Sequence, residues 1–188
     1  MKKELRVFIT DCEGPISKND NAFELTSRIV LKGDRLFSLI SRYDDVLADI
    51  VKKPGYKAGD TLRLILPFLK AYGATNKLLK EYSSQNVLLV PGADETLRFV
   101  HNIMPSFIVS TSYEQYITSL CDIIGFPKSN TYCTKLNIDK YQLSTEEAVK
   151  LKTVCEKISL MPMIEVPDGA VSVDDLPNES REIGRAHV

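Results

Sequence analysis

Histidine is almost missing from this sequence, with His101 and His187 the two examples in 188 residues. A histidine-built metal cluster or a Ser-His-Asp triad therefore has almost nothing to draw on. Cysteine is sparse as well. Cys12, Cys121, Cys133 and Cys155 are scattered without a Cys-x-x-Cys spacing, which argues against zinc and for reduced thiols in a cytoplasmic setting. Charge of one sign is lacking too: a formal net charge of -1 leaves no electrostatic footprint for nucleic acid or an anionic membrane surface. No hydrophobic run approaches the length of a membrane span, so no direct membrane insertion is expected. Met1-Lys2-Lys3-Glu4 leads straight into a short strand and does not read as a signal peptide. Neither a Gly-x-Gly-x-x-Gly nor a Walker pattern occurs, which leaves nucleotide binding by a Gly-rich loop with little support.

What is present begins with a hydrophobic content of 44%, ample for a packed core. The most informative stretch is Arg6-Val7-Phe8-Ile9-Thr10-Asp11-Cys12-Glu13-Gly14-Pro15-Ile16. Val7, Phe8 and Ile9 are β-formers suited to a buried strand. Asp11 and Glu13 follow at its carboxyl end, and Gly14-Pro15 turns the backbone. Ligands of open α/β sheets bind at the carboxyl ends of strands. Two acids spaced i, i+2 there suit a nucleophile and a general acid/base. A solvated strand-to-loop turn is the plainer alternative for this segment taken alone.

Residues 21–85 read as almost wholly helical, with apolar positions at helical spacing in 22–30, 36–40 and 46–51 and an interruption at 41–45. Lys53-Pro54-Gly55 is a stop. Asp60 is placed to cap a helix over 61–71, and a shorter helix follows at 76–82. Strand–helix alternation resumes at Val87-Leu88-Leu89-Val90-Pro91-Gly92. It continues with a helix at 93–102, a strand at 106–109 ending in Ser110-Thr111-Ser112, and an amphipathic helix over 113–124. A strand at 131–136 and a helix over 144–160, opened by the capping box Ser144-x-x-Glu147, complete the regular part. Beyond Met161 the pattern weakens to a short strand at 170–173. This order predicts a doubly wound, Rossmann-like parallel α/β sheet with an inserted helical cap. The expected division is a core of residues 1–17 plus 86–182 and a cap of residues 18–85.

At these residues the chain resembles the haloacid dehalogenase superfamily of phosphohydrolases, in its phosphoserine-phosphatase-like form. Three motifs carry the resemblance: the apolar strand ending Asp11-x-Glu13-Gly14, the helical block directly behind it, and Pro91-Gly92, a helix and Phe107-Ile108-Val109-Ser110. Cys133-Thr134-Lys135-Leu136-Asn137 is similar to the segment that follows in such members. Asp-Cys-Glu-Gly-Pro-Ile, Ser-Arg-Tyr-Asp-Asp and Pro-Gly-Tyr-Lys-Ala-Gly-Asp-Thr look like the archaeal branch known in methanogens as subunit R of energy-converting hydrogenase A. The likeness runs from about Lys3 to Pro167.

The resemblance implies a Mg²⁺-dependent phosphomonoester hydrolase acting on a small phosphorylated metabolite. Asp11 would form an aspartyl-phosphate and Glu13 would serve as general acid/base, with its carbonyl toward the metal. Ser110 would bind a phosphoryl oxygen, helped by the amides of Thr111 and Ser112. Arg42, with Tyr43 and Lys57, would face substrate from the cap. Glu13 departs from the family's second Asp, and the added methylene displaces the proton donor by roughly an ångström, a shift that can cost about 100-fold in rate. Cys12 reads as a small buried residue. Lys135 and Lys140 are the available lysines, although neither sits in a Gly-rich helix start. Asp174 and Asp175, with Glu179 beyond, resemble the last acidic metal motif. The alternative is a catalytically weak or inactive accessory subunit of a membrane hydrogenase that keeps this fold and assembles with hydrogenase subunits.

Residues 183–188 match the codons ATC GGA AGA GCA CAC GTC, part of a common sequencing-library adapter. A non-native tail is therefore expected there, with the natural frame diverging near Arg181, a C-terminal truncation, and the missing lysine and metal acids further on, so that this fragment is expected to be inactive or unstable.

Overall fold

The computed structural model describes residues 6–185, with side chains through Arg181. Residues 1–5, including the start read as lacking a signal peptide, and positions 186–188 of the suspected tail lie outside the described residues. The chain forms two compact units, Met1–Leu25 with Thr75–Lys140, and Thr26–Ala74 with Tyr141–Val188.

The first unit is α/β. Its strands are β1 (Phe8–Thr10), β2 (Ser106–Tyr113) and β3 (Thr131–Thr134), all parallel and in the order β1-β2-β3. Phe8, Ile9 and Thr10 lie opposite Ser106, Phe107 and Ile108. Helix α5 (Asn76–Gln85), capped by the Thr75 side chain on the Leu78 amide, packs on α7 (Glu114–Ile124). Helix α6 (Ala93–Ile103) leads into β2.

Spatial order follows chain order, so right-handed crossovers place the connecting helices on one face. Leu97 of α6 and Tyr116, Ile117 and Leu120 of α7 accordingly share one core with Cys12, Ile16 and Ile108. The opposite face carries Ile9, Val109 and Tyr132, which are 60%, 46% and 62% exposed. Its Phe107 ring packs on Tyr132 with centroids 6.2 Å apart. Among the described residues the sheet is thus wound in one direction, and the second helical layer of a doubly wound sheet is not among them. Residues 87–90, expected to resume the sheet, pair elsewhere. The Lys18 amide donates to Leu88 O and the Val90 amide to Ile16 O, making an antiparallel clip at Ser17 and Leu89.

The second unit is helical. Helix α1 (Asn21–Ile29) is shared by residue between the two units and opens on Asp20, whose Oδ1 accepts from the Phe23 amide at 3.0 Å. Helix α2 (Gly33–Asp45) continues straight through the expected interruption at 41–45 and passes into a π-turn at Val46–Ile50. Asp44 is the reason the following loop has one shape. This 4%-exposed carboxylate accepts from Tyr56 Oη at 2.6 Å, the Gly59 amide at 2.9 Å, Thr61 Oγ1 at 2.8 Å and the Thr61 amide at 3.3 Å.

The helix expected over 61–71 is split into α3 (Thr61–Leu64) and α4 (Leu66–Ala71). Pro67 has no amide hydrogen to continue the ladder. Asp60 makes no cap with its side chain and pairs with Arg63 at 3.2 Å. Helix α8 (Thr145–Ser159), opened by the expected Ser144–Glu147 capping box, packs on α2 and α4. The unit ends with α9 (Asn178–Arg185). In place of the strand expected at 170–173 there is a 3₁₀ turn, Val173–Asp175, because Asp175 Oδ2 takes the amides of Val171 and Ser172 and leaves them nothing for a sheet.

The units therefore divide the chain at other points than the pattern suggested. Residues 76–85 join the sheet through the α5–α7 contact, and 145–159 join the helical unit through the packing of α8 on α2 and α4. No helix among the described residues is long and apolar enough to cross a membrane.

Candidate active site

Asp11 follows the last residue of β1 and is exposed, with its Oδ1 accepting from the Cys12 amide at 2.6 Å. The chain then folds back tightly. The Ile16 and Ser17 amides both donate to Cys12 O, and the Gly14 amide donates to Ser17 O at 2.7 Å. Gly14 holds φ at +96°, a left-handed conformation that a side chain would strain. Cys12 is fully buried beneath this turn, and burial pushes its thiol up to about 12. It is an inert packing residue, as its size and setting suggested.

The turn aims Glu13 across to the neighbouring strand. Glu13 Oε1 accepts from Ser112 Oγ at 2.8 Å and from the Asn21 amide, at the first residue of α1, at 3.2 Å. Burial raises the pKa of this carboxyl; the bonds from Ser112 and Asn21 oppose the rise, and Asp20 and Asp11 add to it. A half-buried carboxyl with a raised pKa, oriented by two donors, holds a proton more readily than a free carboxylate does.

The end of β2 is irregular. Val109 lies opposite Tyr132 and Tyr113 opposite Thr134, so four steps on β2 match two on β3 and two extra residues bulge out. Bulges re-aim side chains at the rims of sheets. Here the bulge gathers Ser110, Thr111 and Ser112, the three residues expected at a phosphate site. Their observed roles differ from one another. Ser110 Oγ accepts from the Ser112 amide at 3.2 Å, and the Thr111 carbonyl accepts from Thr134 Oγ1. Ser112, 4% exposed, spends its hydroxyl on Glu13. The Ser112 amide, expected to face phosphate, is engaged by Ser110 in this structure.

The other expected residues have surroundings of their own. Lys135 pairs with Glu114 at 3.2 Å, and Lys140 is exposed at the end of a 3₁₀ turn. Arg42, Tyr43, Lys57, Asp174 and Asp175 belong to the helical unit. There Arg42 pairs with Asp45 at 3.5 Å, and Asp175 closes its own turn on Ser172. Among the described residues no group of three or more His, Cys, Asp or Glu side chains could hold a metal ion.

Sequence reasoning missed Asn21 and Asn19. Asn19, 8% exposed, accepts from the Leu88 amide at 2.6 Å and from Tyr116 Oη at 3.2 Å, and it donates to both oxygens of Glu24. It ties the clip behind the site to α7. The run Asn19-Asp20-Asn21 at the start of the helical block was the available signal.

No protein-family profile and no curated protein matches the chain. A solved structure of a gene product from Archaeoglobus fulgidus is similar, with a TM-score of 0.78 and 28% identity over 97% of this chain. The match covers 57% of that protein, so this chain spans little more than half of its length.

Proposed function

We propose that this chain carries the active site of a phosphomonoester hydrolase of the haloacid dehalogenase type, working through an aspartyl-phosphate on Asp11. The observation that supports this reading best is the pairing across β1 and β2. The exposed Asp11 and the Ser112-held Glu13 converge with Ser110 at the carboxyl ends of two adjacent parallel strands.

In the first half-reaction an Asp11 oxygen attacks phosphorus, the P–O bond to the leaving group breaks, and Glu13 gives its proton to the departing alkoxide. In the second, water attacks phosphorus, Glu13 takes a proton from it, and the bond to Asp11 breaks to release inorganic phosphate. The raised pKa of Glu13 suits the first role, and the donors on Oε1 leave Oε2 as the oxygen that exchanges the proton. Ser110, whose Oγ accepts from the Ser112 amide, would give its own hydroxyl hydrogen to a phosphoryl oxygen. Mg²⁺, bound through Asp11, the Glu13 carbonyl and the substrate phosphate, would supply charge neutralisation.

The test is turnover of p-nitrophenyl phosphate with Mg²⁺, together with capture of acid-labile phosphate on the protein. A chain that also carries the expected lysine and last metal acids should do both, and Asp11→Asn in it should lose at least about 1000-fold in kcat with no capture. Absence of both in that longer chain, shown to be folded, would refute the reading and favour a non-catalytic use of the fold, whereas turnover by the 188-residue chain would overturn the expected truncation.

A further inference from the structure

The helical unit holds a cavity of about 590 Å³, within the range that accommodates a small organic ligand. Eight of its ten lining residues are apolar, Leu39, Leu64, Phe68 and Ile158 among them, and the remaining two are Tyr43 and Glu179. Its walls come from α2, the α3–α4 pair, the end of α8 with the segment after it, and the first turn of α9.

The wall after α8 is held from outside. Arg35 Nε donates to Ser159 O at 3.1 Å and its Nη2 to Met161 O at 2.7 Å, fixing the chain as it leaves the helix. Further along, the Glu165 amide donates to Ser180 Oγ at 3.0 Å, joining that segment to α9. Leu39 and Ile164 line the cavity and also pack with Val46 and Ile50 of the π-turn, a feature frequent at functional sites. The cavity is therefore a braced space between four helical elements and not a gap in loose chain.

We infer that this cavity binds a small amphiphilic amine, with its hydrocarbon or aromatic body between α2, α4 and α8 and its ammonium group beside Glu179. The occupant is set by the lining. The lining carries one carboxylate, the exposed Glu179, and no lysine or arginine, so it favours a cationic head on an apolar body over an anionic one. Burial raises the pKa of the Tyr43 phenol, so it remains a neutral donor and adds no competing charge. Met161 supplies the adaptable surface that thioethers give to binding sites. This inference does not depend on the phosphatase reading.

Calorimetric titration of the intact chain with decylamine, decanol and decanoate below their micelle concentrations tests it. Decylamine should bind one-to-one and about two- to fivefold tighter than decanoate, the factor expected of one ion pair with the exposed Glu179. Leu64→Trp, at a partly exposed position, should weaken decylamine and decanol alike by filling the space. Glu179→Gln should erase the preference for amine over alcohol while leaving decanol binding unchanged. Absence of saturable binding to wild type, or binding that neither variant alters, overturns the proposal. So does a wild-type chain that elutes as a dimer which Leu64→Trp converts to monomer, since the cavity would then be an interface between copies.

Discussion

Removing the carboxylate of Asp44 is the most exacting test of how the helical unit is held. Four donors meet its two oxygens at 2.6–3.3 Å in a site with 4% exposure, and no cation is among the four. Hydrogen bonds to a charged group contribute about 1.5–3 kcal/mol each, so simple addition would give roughly 6–12 kcal/mol, as large as the whole stability of a domain. That sum overshoots, because burying the charge itself costs several kcal/mol. The better measure is what Asp44→Ala strands. The amide and hydroxyl of Thr61, itself 7% exposed, lose their acceptor with poor access to water, at about 1–3 kcal/mol each. Gly59 is exposed and Tyr56 half-exposed, so both rehydrate at small cost. The expected loss is about 3–5 kcal/mol.

Asn separates charge from geometry at the same position. Its oxygen can serve Gly59 and Thr61 while its amide donates to the Tyr56 oxygen, provided the phenol turns from donor to acceptor. Burial and the bond to Asp44 push the Tyr56 pKa upward, so the phenol is protonated and free to rotate its hydrogen. Asp44→Asn should therefore cost about 1–2 kcal/mol, and Tyr56→Phe about 1 kcal/mol. Urea unfolding followed by circular dichroism reads all three. An alanine variant within about 1 kcal/mol of wild type, or an asparagine variant less stable than alanine, would refute the reasoning.

At Glu13 stability and activity should move in opposite directions. A carboxyl whose folded pKa is raised favours the fold at low pH and loses that contribution as pH rises through the folded value. Glu13→Gln keeps an acceptor for Ser112 and Asn21 but no charge, so at pH 8 its Tm should rise while phosphatase turnover falls; a lowered Tm counts against it. Gly33→Ala places a methyl 2.0 Å from the Thr26 carbonyl oxygen, a backbone clash that should cost about 3 kcal/mol or more in the same urea assay. Ser144→Ala should cost about 1 kcal/mol through loss of the α8 cap. The pKa of the partner carboxylate Glu147 is lowered from 4.5, chiefly by its bond from the Ser144 amide, so its contribution is present above that value and fades as pH falls. Ser144→Ala keeps that amide, so the pH test is made at Glu147: the difference between wild type and Glu147→Ala should shrink as pH falls through the carboxylate range, and a constant difference would contradict the capping account.

Local chemistry was legible in the chain wherever one residue decides the outcome. Ser144-x-x-Glu147 specified a capping box because both partners lie within one turn. Val7-Phe8-Ile9 followed by Asp11 specified a strand with an acid at its end. Pro67 shows the limit of periodicity, since its neighbours keep a helical stripe while its missing amide divides the helix. The strand expected at 170–173 failed for a comparable reason. Ala170-Val171-Ser172-Val173 has fair strand composition, but Asp175 offers its amides a nearer acceptor than any neighbouring strand does. The Asp44 hub was illegible because its donors are spread from Tyr56 to Thr61, beyond any local motif, and an acid late in a helix reads by default as solvated.

The division of work between Ser110 and Ser112 shows most clearly what sequence order leaves undecided at the site. Three adjacent hydroxyl residues end β2, and strand alternation alone would send the first and third to the same face. Of the two, Ser112 meets Glu13 directly, and the bulge opposite Tyr132 and Thr134 lets the chain advance only two partners in four residues. That compression brings the Ser112 amide onto Ser110 Oγ and frees the Ser112 hydroxyl to reach Glu13. A regular β2 would carry Ser112 two pleats beyond Ser110, some 6–7 Å along the strand, and Glu13 would lose one of its two donors. On the phosphatase reading, then, the irregular end of β2 gives the longer Glu13 a fixed place. Ser112→Ala should lower kcat more than it raises KM, Ser112→Thr should restore it, and equal activity in all three proteins would remove Ser112 from the site.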